Sequence, residues 1–310
     1  MRKRVVLALG GNAILQPGQL GTYENQQQNI EISSASIAKV IRAGHELAIV
    51  HGNGPQVGQI LRQNELAQAE IPELPLSACS AESQGLIGYM LQQSLKNHLP
   101  EKNVATILTM TEVDENDQAF KRPTKPIGSF YSESQSQQLT DEKGWVMGED
   151  AGRGYRRLVP SPAPKGIVEV EAIKSMLEAG MVVVSTGGGG IPVIRKENNQ
   201  LTGIAAVIDK DASALRLAKD IVADVLMILT DVPNVYINYG QANQEKLTTI
   251  SLATAETYYQ EGHFSEGSMG PKMAACIEFA KLGKTAIICS LSEAVEALAG
   301  QAGTRVEGLA

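Results

Sequence analysis

The chain has 310 residues, 43% of them hydrophobic, and a formal net charge of -7. That length and apolar content suffice for the core of one large α/β domain or two smaller ones, and they exclude a disordered chain. The acidic balance, with no long run of like charge, argues against a nucleic-acid partner or a membrane surface, so any polyanionic ligand must be held by local groups.

In chain order, the apolar run Val5 to Leu9 is too short for a signal or membrane segment and reads as a strand; the expected location is the cytoplasm. An amphipathic stretch from about Glu24 to Arg42 predicts a helix, LAIV (47 to 50) a strand, and the residues from Gln56 another helix. Further helices are predicted near 81 to 97 and 169 to 179, after Gly270 and from Ser292. Further strands are predicted at 104 to 110, 181 to 186, 224 to 230 and 285 to 289. Between about Asn116 and Pro164 the period is lost and Pro, Gly, Ser and charged residues accumulate, yet Trp145, Phe130 and Tyr131 oppose disorder, so this segment reads as a protruding lid. Near-continuous apolar strands alternating with helices imply a parallel sheet covered on both faces, with ligands gathering outside the carboxyl ends of its strands.

Three glycine loops follow strands directly: GGN (10 to 12), HGNG (51 to 54) and TGGGG (186 to 190). Glycine permits close approach, so successive amides can face one concavity and bind phosphate oxygens. Asn53-Gly54-Pro55 and Asn12 would add helix N-termini, with Pro55 suited to a first helical turn. The competing reading is that these glycines only make tight turns.

Neither standard nucleotide motif is present. Gly283-Lys284-Thr285 resembles the end of a P-loop, but Glu278 occupies the required glycine position. Gly52-Asn53-Gly54 runs through Pro55, Gln56 and Val57 before Gly58, one residue too many for a dinucleotide fingerprint. Phosphoryl transfer needs positive charge along its path, and Lys125 in PTKPIG, Lys210 in IDKD and Lys272 in GSMGPK sit in local contexts unlike a solvated helix face. In VIDKDASA, Asp209, Lys210 and Asp211 admit two readings: a helix cap with acids at the positive end of the dipole, or a lysine held for chemistry. The four histidines lack i, i+4 pairing and His51 reads as a loop-orienting residue, so no protein metal site is expected; Mg2+ would arrive with a nucleotide. Cys79, Cys276 and Cys289 read as reduced structural thiols, and no Ser-His-Asp or Cys-His set assembles.

Taken in order, LALGGNA, HGNGPQVG, AESQGLIGYMLQQ, PTKPIGSFY, STGGGGIPV, VIDKD, LTDV and EGSMGPK resemble the carbamate kinases of the amino acid kinase family over nearly the whole chain. The resemblance implies a single α/β domain (1–310): a three-layer α/β/α sandwich with a mainly parallel central sheet, the amino acid kinase fold, and a protruding lid subdomain. It further implies an acceptor lobe over about 1–203, with the lid at about 116–164, a nucleotide lobe over about 204–310, and a homodimer. Lys210 and Lys272 would neutralise the moving phosphoryl group, Lys125 would reach in from the lid, and Asp211 would hold the lysines. Gly10, Gly11, Asn12, Gly52, Asn53 and Gly54, with Gly188 and Gly189 of the third loop, would line the acceptor and phosphate site. Asp231, Tyr236, Met269 and Gly270 would border ATP or ADP.

The implied reaction joins carbamate and ATP to carbamoyl phosphate and ADP, reversibly, with the expected direction toward ATP in arginine or purine-derived catabolism. The attacking carbamate oxygen is already anionic, so no general base is needed. Ala212 and Ser213 follow Asp211 at once, where the family usually carries a bulky apolar residue, and Ser129 stands where proline is common. Two alternatives stay open: another small carboxylate or phosphate as acceptor, and a nucleotide-binding regulator without turnover.

Overall fold

Strand β1 (Arg4–Leu9) is buried almost throughout and divides its residues by parity: Val6 and Ala8 enter one core cluster, Val5, Leu7 and Leu9 the other. A strand covered on both faces must be apolar at every position, and full burial of each Val, Leu or Ile is worth about 1.5–3 kcal/mol. This is a computed structural model, and it describes residues 2–308 apart from Ala151 and Glu266. The other strands of the central sheet are β2 (Glu46–His51), β3 (Val104–Thr106), β4 (Val182–Val184), β5 (Val225–Thr230), β6 (Thr249–Ser251), β7 (Thr285–Ser290) and β8 (Thr304–Glu307). They run β6-β8-β7-β5-β1-β2-β4-β3, parallel except for the β7–β8 pair.

The helices form the outer layers: α1 (Tyr23–Arg42), α2 (Gly54–Ala67), α3 (Leu76–His98), α4 (Glu133–Lys143), α5 (Val170–Glu178), α6 (Lys210–Asp220), α7 (Leu252–Gln260), α8 (Met269–Ala280) and α9 (Ala294–Leu298). Ile30 and Ile37 of α1, Ile87 and Leu91 of α3 and Leu298 of α9 pack on one face of the sheet. Leu177 of α5, Leu217 of α6, Ala255 of α7 and Phe279 of α8 pack on the other. The result is the three-layer sandwich. No helix among the described residues is long and apolar enough to cross a membrane, and the three cysteines are free and buried.

Four details differ from the sequence reading. The strand expected over 104 to 110 breaks after Thr106, and Met110–Val113 joins a second, four-stranded sheet with Pro164–Ile167, Ile191–Arg195 and Leu201–Gly203. The break has a cause: Thr109 N–H donates to Gln84 Oε1 at 2.8 Å and Ile191 N–H to the Thr109 carbonyl at 2.8 Å, drawing the chain off the main sheet. The helix expected near 81 begins earlier, at Leu76 directly after Pro75. Helix α6 begins where the cap reading of VIDKDASA put a helix start, but α7 and α4 were not among the predicted elements. The last lies in the aperiodic 116–164 segment, where a Ser132/Gln135 capping box opens it and left-handed Gly144 (φ 65°) closes it. There α4 packs with a three-stranded antiparallel sheet, Lys125–Tyr131, Tyr155–Val159 and Val146–Glu149. Ile127 and Val159 of this unit meet Val57 and Ile60 of α2 and Leu76 of α3.

Candidate active site

Strands β1, β2 and β4 are neighbours, so the loops leaving their carboxyl ends emerge side by side. The first turns at once into a short 3-10 segment, Gly11–Ala13, and the second into α2 with Pro55 in its first turn. A Cβ on Gly52 would lie 3.3 Å from the Gly11 nitrogen and 3.8 Å from Cδ of Lys210, so these backbones meet over the lysine. The third loop is the tightest. Thr186, Gly188, Gly189 and Gly190 all have positive φ, and added Cβ atoms would strike Asn53 at Gly188, the Ile208 carbonyl at Gly189 and Thr111 at Gly190. Each glycine lets a different part of the site close in.

The Gly189 amide closes on Thr186 O at 3.1 Å, while its carbonyl accepts Thr111 Oγ1–H at 2.9 Å and Ser213 Oγ–H at 2.6 Å. Ser213, which follows Ala212 where a bulkier residue is usual, thus fastens α6 to the glycine loop. His51 is fully buried, its Nδ1–H donates to the Gly52 carbonyl at 2.9 Å, and burial lowers its pKa to about 4, so it is neutral and orients its loop.

Both readings of VIDKDASA are present, divided between two aspartates. Asp209 is the N-cap of α6: its Oδ1 accepts from the amides of Asp211 at 2.9 Å and Ala212 at 3.2 Å. Its Oδ2 accepts from Lys125 Nζ at 3.1 Å. Asp211, buried, instead takes one lysine on each oxygen, Lys210 on Oδ1 in a short ion pair and Lys272 on Oδ2 at 2.9 Å. Lys272 arrives from the first turns of α8, so three helix N-termini, of α2, α6 and α8, are assembled around these groups.

Burial opposes ionisation of Asp211, but the two ammonium groups outweigh it and hold its carboxyl below the ordinary value. Flanking acids alone predict a firmly charged Lys210. Burial reverses that sign: it lowers the lysine, Asp211 offsets it only in part, and Lys272 adds to the lowering. An incoming phosphate would restore the charge that burial disfavours.

A cavity of about 750 Å3 lies beside the cage, lined by Gly10, Gly11, Asn12, Asp231 and Lys272 among others. A second of about 500 Å3 adjoins it through Thr230, Asp231 and Ser268, with Tyr236, Phe264 and Met269 on its walls. Both lie within the usual size of small-molecule sites. Asp231 accepts a short hydrogen bond from Asn12 Nδ2 at the junction. Gly270 is buried in the first turn of α8, its amide 2.8 Å from the Ser265 carbonyl, and it contributes close backbone packing. Among the described residues, no group of three or more His, Cys, Asp or Glu side chains is arranged to hold a metal ion.

Sequence reasoning passed over Ser83, Gln84, Thr109 and Ser213 as site residues. Each is buried, and each bonds to the glycine loops or to a residue that does. For Ser83 and Gln84 the available signal was AESQGLIGYMLQQ, a helix in which these two polar residues fall on the buried side while Glu82, Gln92 and Gln93 are exposed; Thr109 and Ser213 carried no such signal.

A sequence model of the amino acid kinase family matches residues 3–290. A carbamate kinase of Pyrococcus horikoshii is 51% identical over 313 residues, covering 99% of each chain. The carbamate kinase-like protein YqeA of Escherichia coli is 49% identical over 313 residues, covering 98% of this chain and 99% of its own. The structure of carbamate kinase from Giardia lamblia bound to AMP-PNP superposes with a TM-score of 0.94 at 46% identity, covering 99% of both chains. With identity of this order from end to end, the chain belongs to the amino acid kinase family, on its carbamate kinase branch.

Proposed function

We propose that this protein transfers a phosphoryl group reversibly between ATP and carbamate, running from carbamoyl phosphate and ADP toward ATP in arginine or purine-derived catabolism. The observation that carries the reading is the Asp211 cage: two lysine ammonium groups on one buried carboxylate, where the glycine loops meet a nucleotide-sized cavity. Carbamate oxygen is anionic without help, so the chemistry asks for positioning and positive charge and for no base. Lys210 and Lys272 neutralise the phosphoryl group in transit, Asp211 keeps their ammonium groups in place, and Lys125 joins from the lid.

Amides of the Gly10–Asn12, Gly52–Gly54 and Gly187–Gly189 loops hold the anionic acceptor and phosphate oxygens. Asp231, Tyr236, Met269 and Gly270 border the nucleotide. On this reading residues of about 1–203 form the acceptor lobe, with the lid at about 116–164, and those of about 204–310 the nucleotide lobe. Mg2+ fits as a companion of the nucleotide: phosphate oxygens and waters would supply most ligands, and Asp231, facing both cavities, can hold one of those waters. When bound, the ion offsets charge on the phosphates. A cytoplasmic homodimer completes the proposal, supported by Leu86, Tyr89 and Leu108, exposed apolar side chains close to the edge strand β3.

The test is ATP formation from carbamoyl phosphate and Mg-ADP by the purified protein, with Lys210→Ala beside it and spontaneous carbamoyl phosphate breakdown subtracted. Activity that disappears in the variant is the expected result. A folded, ADP-binding protein without activity overturns the carbamate assignment and directs attention to another small acceptor or to a regulator.

A further inference from the structure

The segment AESQGLIGYMLQQ belongs to α3, which contributes no group facing the cavities, yet two of its polar side chains are almost fully buried: Ser83 at 0% and Gln84 at 2% exposed. Burying such groups is unfavourable unless every hydrogen bond is made, and here the partners are the site loops. Gln84 Nε2 donates to the Gly187 carbonyl at 3.0 Å and the Thr109 carbonyl at 3.1 Å, while its Oε1 accepts from Thr109 N–H at 2.8 Å. Ser83 Oγ accepts from Asn53 Nδ2 at 2.8 Å and donates to the Ser80 carbonyl at 2.7 Å.

In a trans peptide the carbonyl and the N–H point in opposite directions. Holding the Gly187 carbonyl toward α3 therefore aims the Gly188 N–H away from it. That amide and the Gly187 amide donate to no protein acceptor among the described residues. Gly188, at φ +63°, sits so tightly against Asn53 that a Cβ would come within 2.1 Å of Nδ2, and one on Gly187 would come within 2.4 Å of His51 Nε2. The Gly187 carbonyl also accepts the Gly190 N–H at 3.0 Å, so Gln84 shares its hold on this peptide with the loop's own turn; between two glycines, a peptide that lost the glutamine could reverse and present a carbonyl dipole to an anion in place of an N–H.

We propose that Gln84, assisted by Ser83, is a positioning residue: it locks the Gly187–Gly188 peptide with its N–H toward the acceptor-side anion and keeps Asn53 in register with it. The assignment rests on the proposed transfer reaction for its substrate, though not for its anion. The amide side chain acts twice, fixing the loop carbonyl and turning Thr109 out of the main sheet, so the fold departure at residue 107 and the shape of the anion subsite share one cause.

The test compares the wild type with Gln84→Met, which fills similar space and makes no hydrogen bond. Four quantities are read: KM for carbamoyl phosphate, KM for ADP, kcat, and the affinity for inorganic sulfate by titration calorimetry. Expected are a rise of about tenfold or more in the carbamoyl phosphate KM and the sulfate Kd, a lower kcat, and ADP constants within about twofold of wild type. Ser83→Ala should show the same split, smaller, and serves if Gln84→Met does not fold. Unchanged sulfate affinity, or equal loss toward both substrates in step with a lower Tm, would overturn the proposal in favour of a purely structural glutamine. A wild type inert toward carbamoyl phosphate overturns the reaction assignment alone, and the sulfate affinities then decide the role of Gln84. A wild type that binds no sulfate overturns the subsite.

Discussion

Two lysine–aspartate arrangements meet at residues 209 to 211, and they are built differently. In the cage, the side chains of Lys210, Asp211 and Lys272 are 14%, 5% and 17% exposed, and two of the three stand at the start of one helix. In the lid contact, Lys125 and Asp209 are 38% and 31% exposed and join residues 84 positions apart across a small subdomain. Charges in the first arrangement are dehydrated and feel one another strongly; those in the second are screened by water and salt. The cage is therefore a fixed, dehydrated cluster in which burial works against the charge on Lys210, an effect that Asp211 only partly offsets. The Lys125–Asp209 pair is more exposed and its charges are weakly coupled.

Breaking the cage should have the largest effect. Lys210→Ala is expected to lower kcat by roughly 10²–10³-fold, the scale for losing one fixed electrostatic contact to a transition state, while Tm changes little because Asp209, not Lys210, caps α6. Measured together, turnover and Tm separate the two roles; parallel losses would return Lys210 to a structural part. Asp211→Asn comes next and should act on stability, by about 3–5 kcal/mol in denaturant titration, since it leaves two buried ammonium groups without their carboxylate.

The acid limb of the stability curve sharpens that second prediction. Asp211 has its folded pKa below the ordinary 3.8, so its stabilising contribution is complete above that value and is lost as pH falls through the depressed folded pKa. The stability gap between wild type and Asp211→Asn should stay level from neutral pH to about 5 and shrink only below about 4. A gap that closes between pH 6 and 8 would mean that another group governs it.

Lys125→Ala should be milder, roughly tenfold in kcat/KM at low ionic strength, and the difference from wild type should shrink as salt is added. A salt-independent deficit would place Lys125 with the buried cage. The smallest effect is expected at the far side of the lid, where Tyr131 OH donates to Glu65 on α2 at 2.9 Å and burial against that carboxylate pushes the phenol up to about 12. Tyr131→Phe removes one half-buried hydrogen bond, worth about 1 kcal/mol in an unfolding titration, and should leave ADP affinity intact.

The contrast also marks how far sequence reasoning reached. The outer frame was legible because strands such as β1, β2 and β5 are buried on both faces and carry apolar residues at nearly every position. The 116–164 segment stood apart by its lost periodicity, but α4 was missed despite its Ser132/Gln135 cap, since its side chains are polar nearly all round and leave no stripe to read. The start of helix α6 was legible only as one of two readings, because its opening residues divide their polarity between Asp209 capping and the cage. Gln84 was invisible as a site residue because its partners, Thr109 and Gly187, are 25 and 103 positions away.

By itself the sequence determined what depends on local order: alternating apolar strands and amphipathic helices, glycines directly after three strands, three lysines in constrained contexts, and an ordered set of motifs belonging to one family. Tertiary structure alone decided which groups share space. It seated Lys272 and Lys210 on one carboxylate, gave capping to Asp209 and the cage to Asp211, and used a glutamine on α3 to aim a loop 103 residues distant. The physical reason is that patterning follows from neighbours along the chain, whereas the charge state of Lys210 and the direction of a glycine amide depend on burial and on partners that only folding brings within about 3 Å.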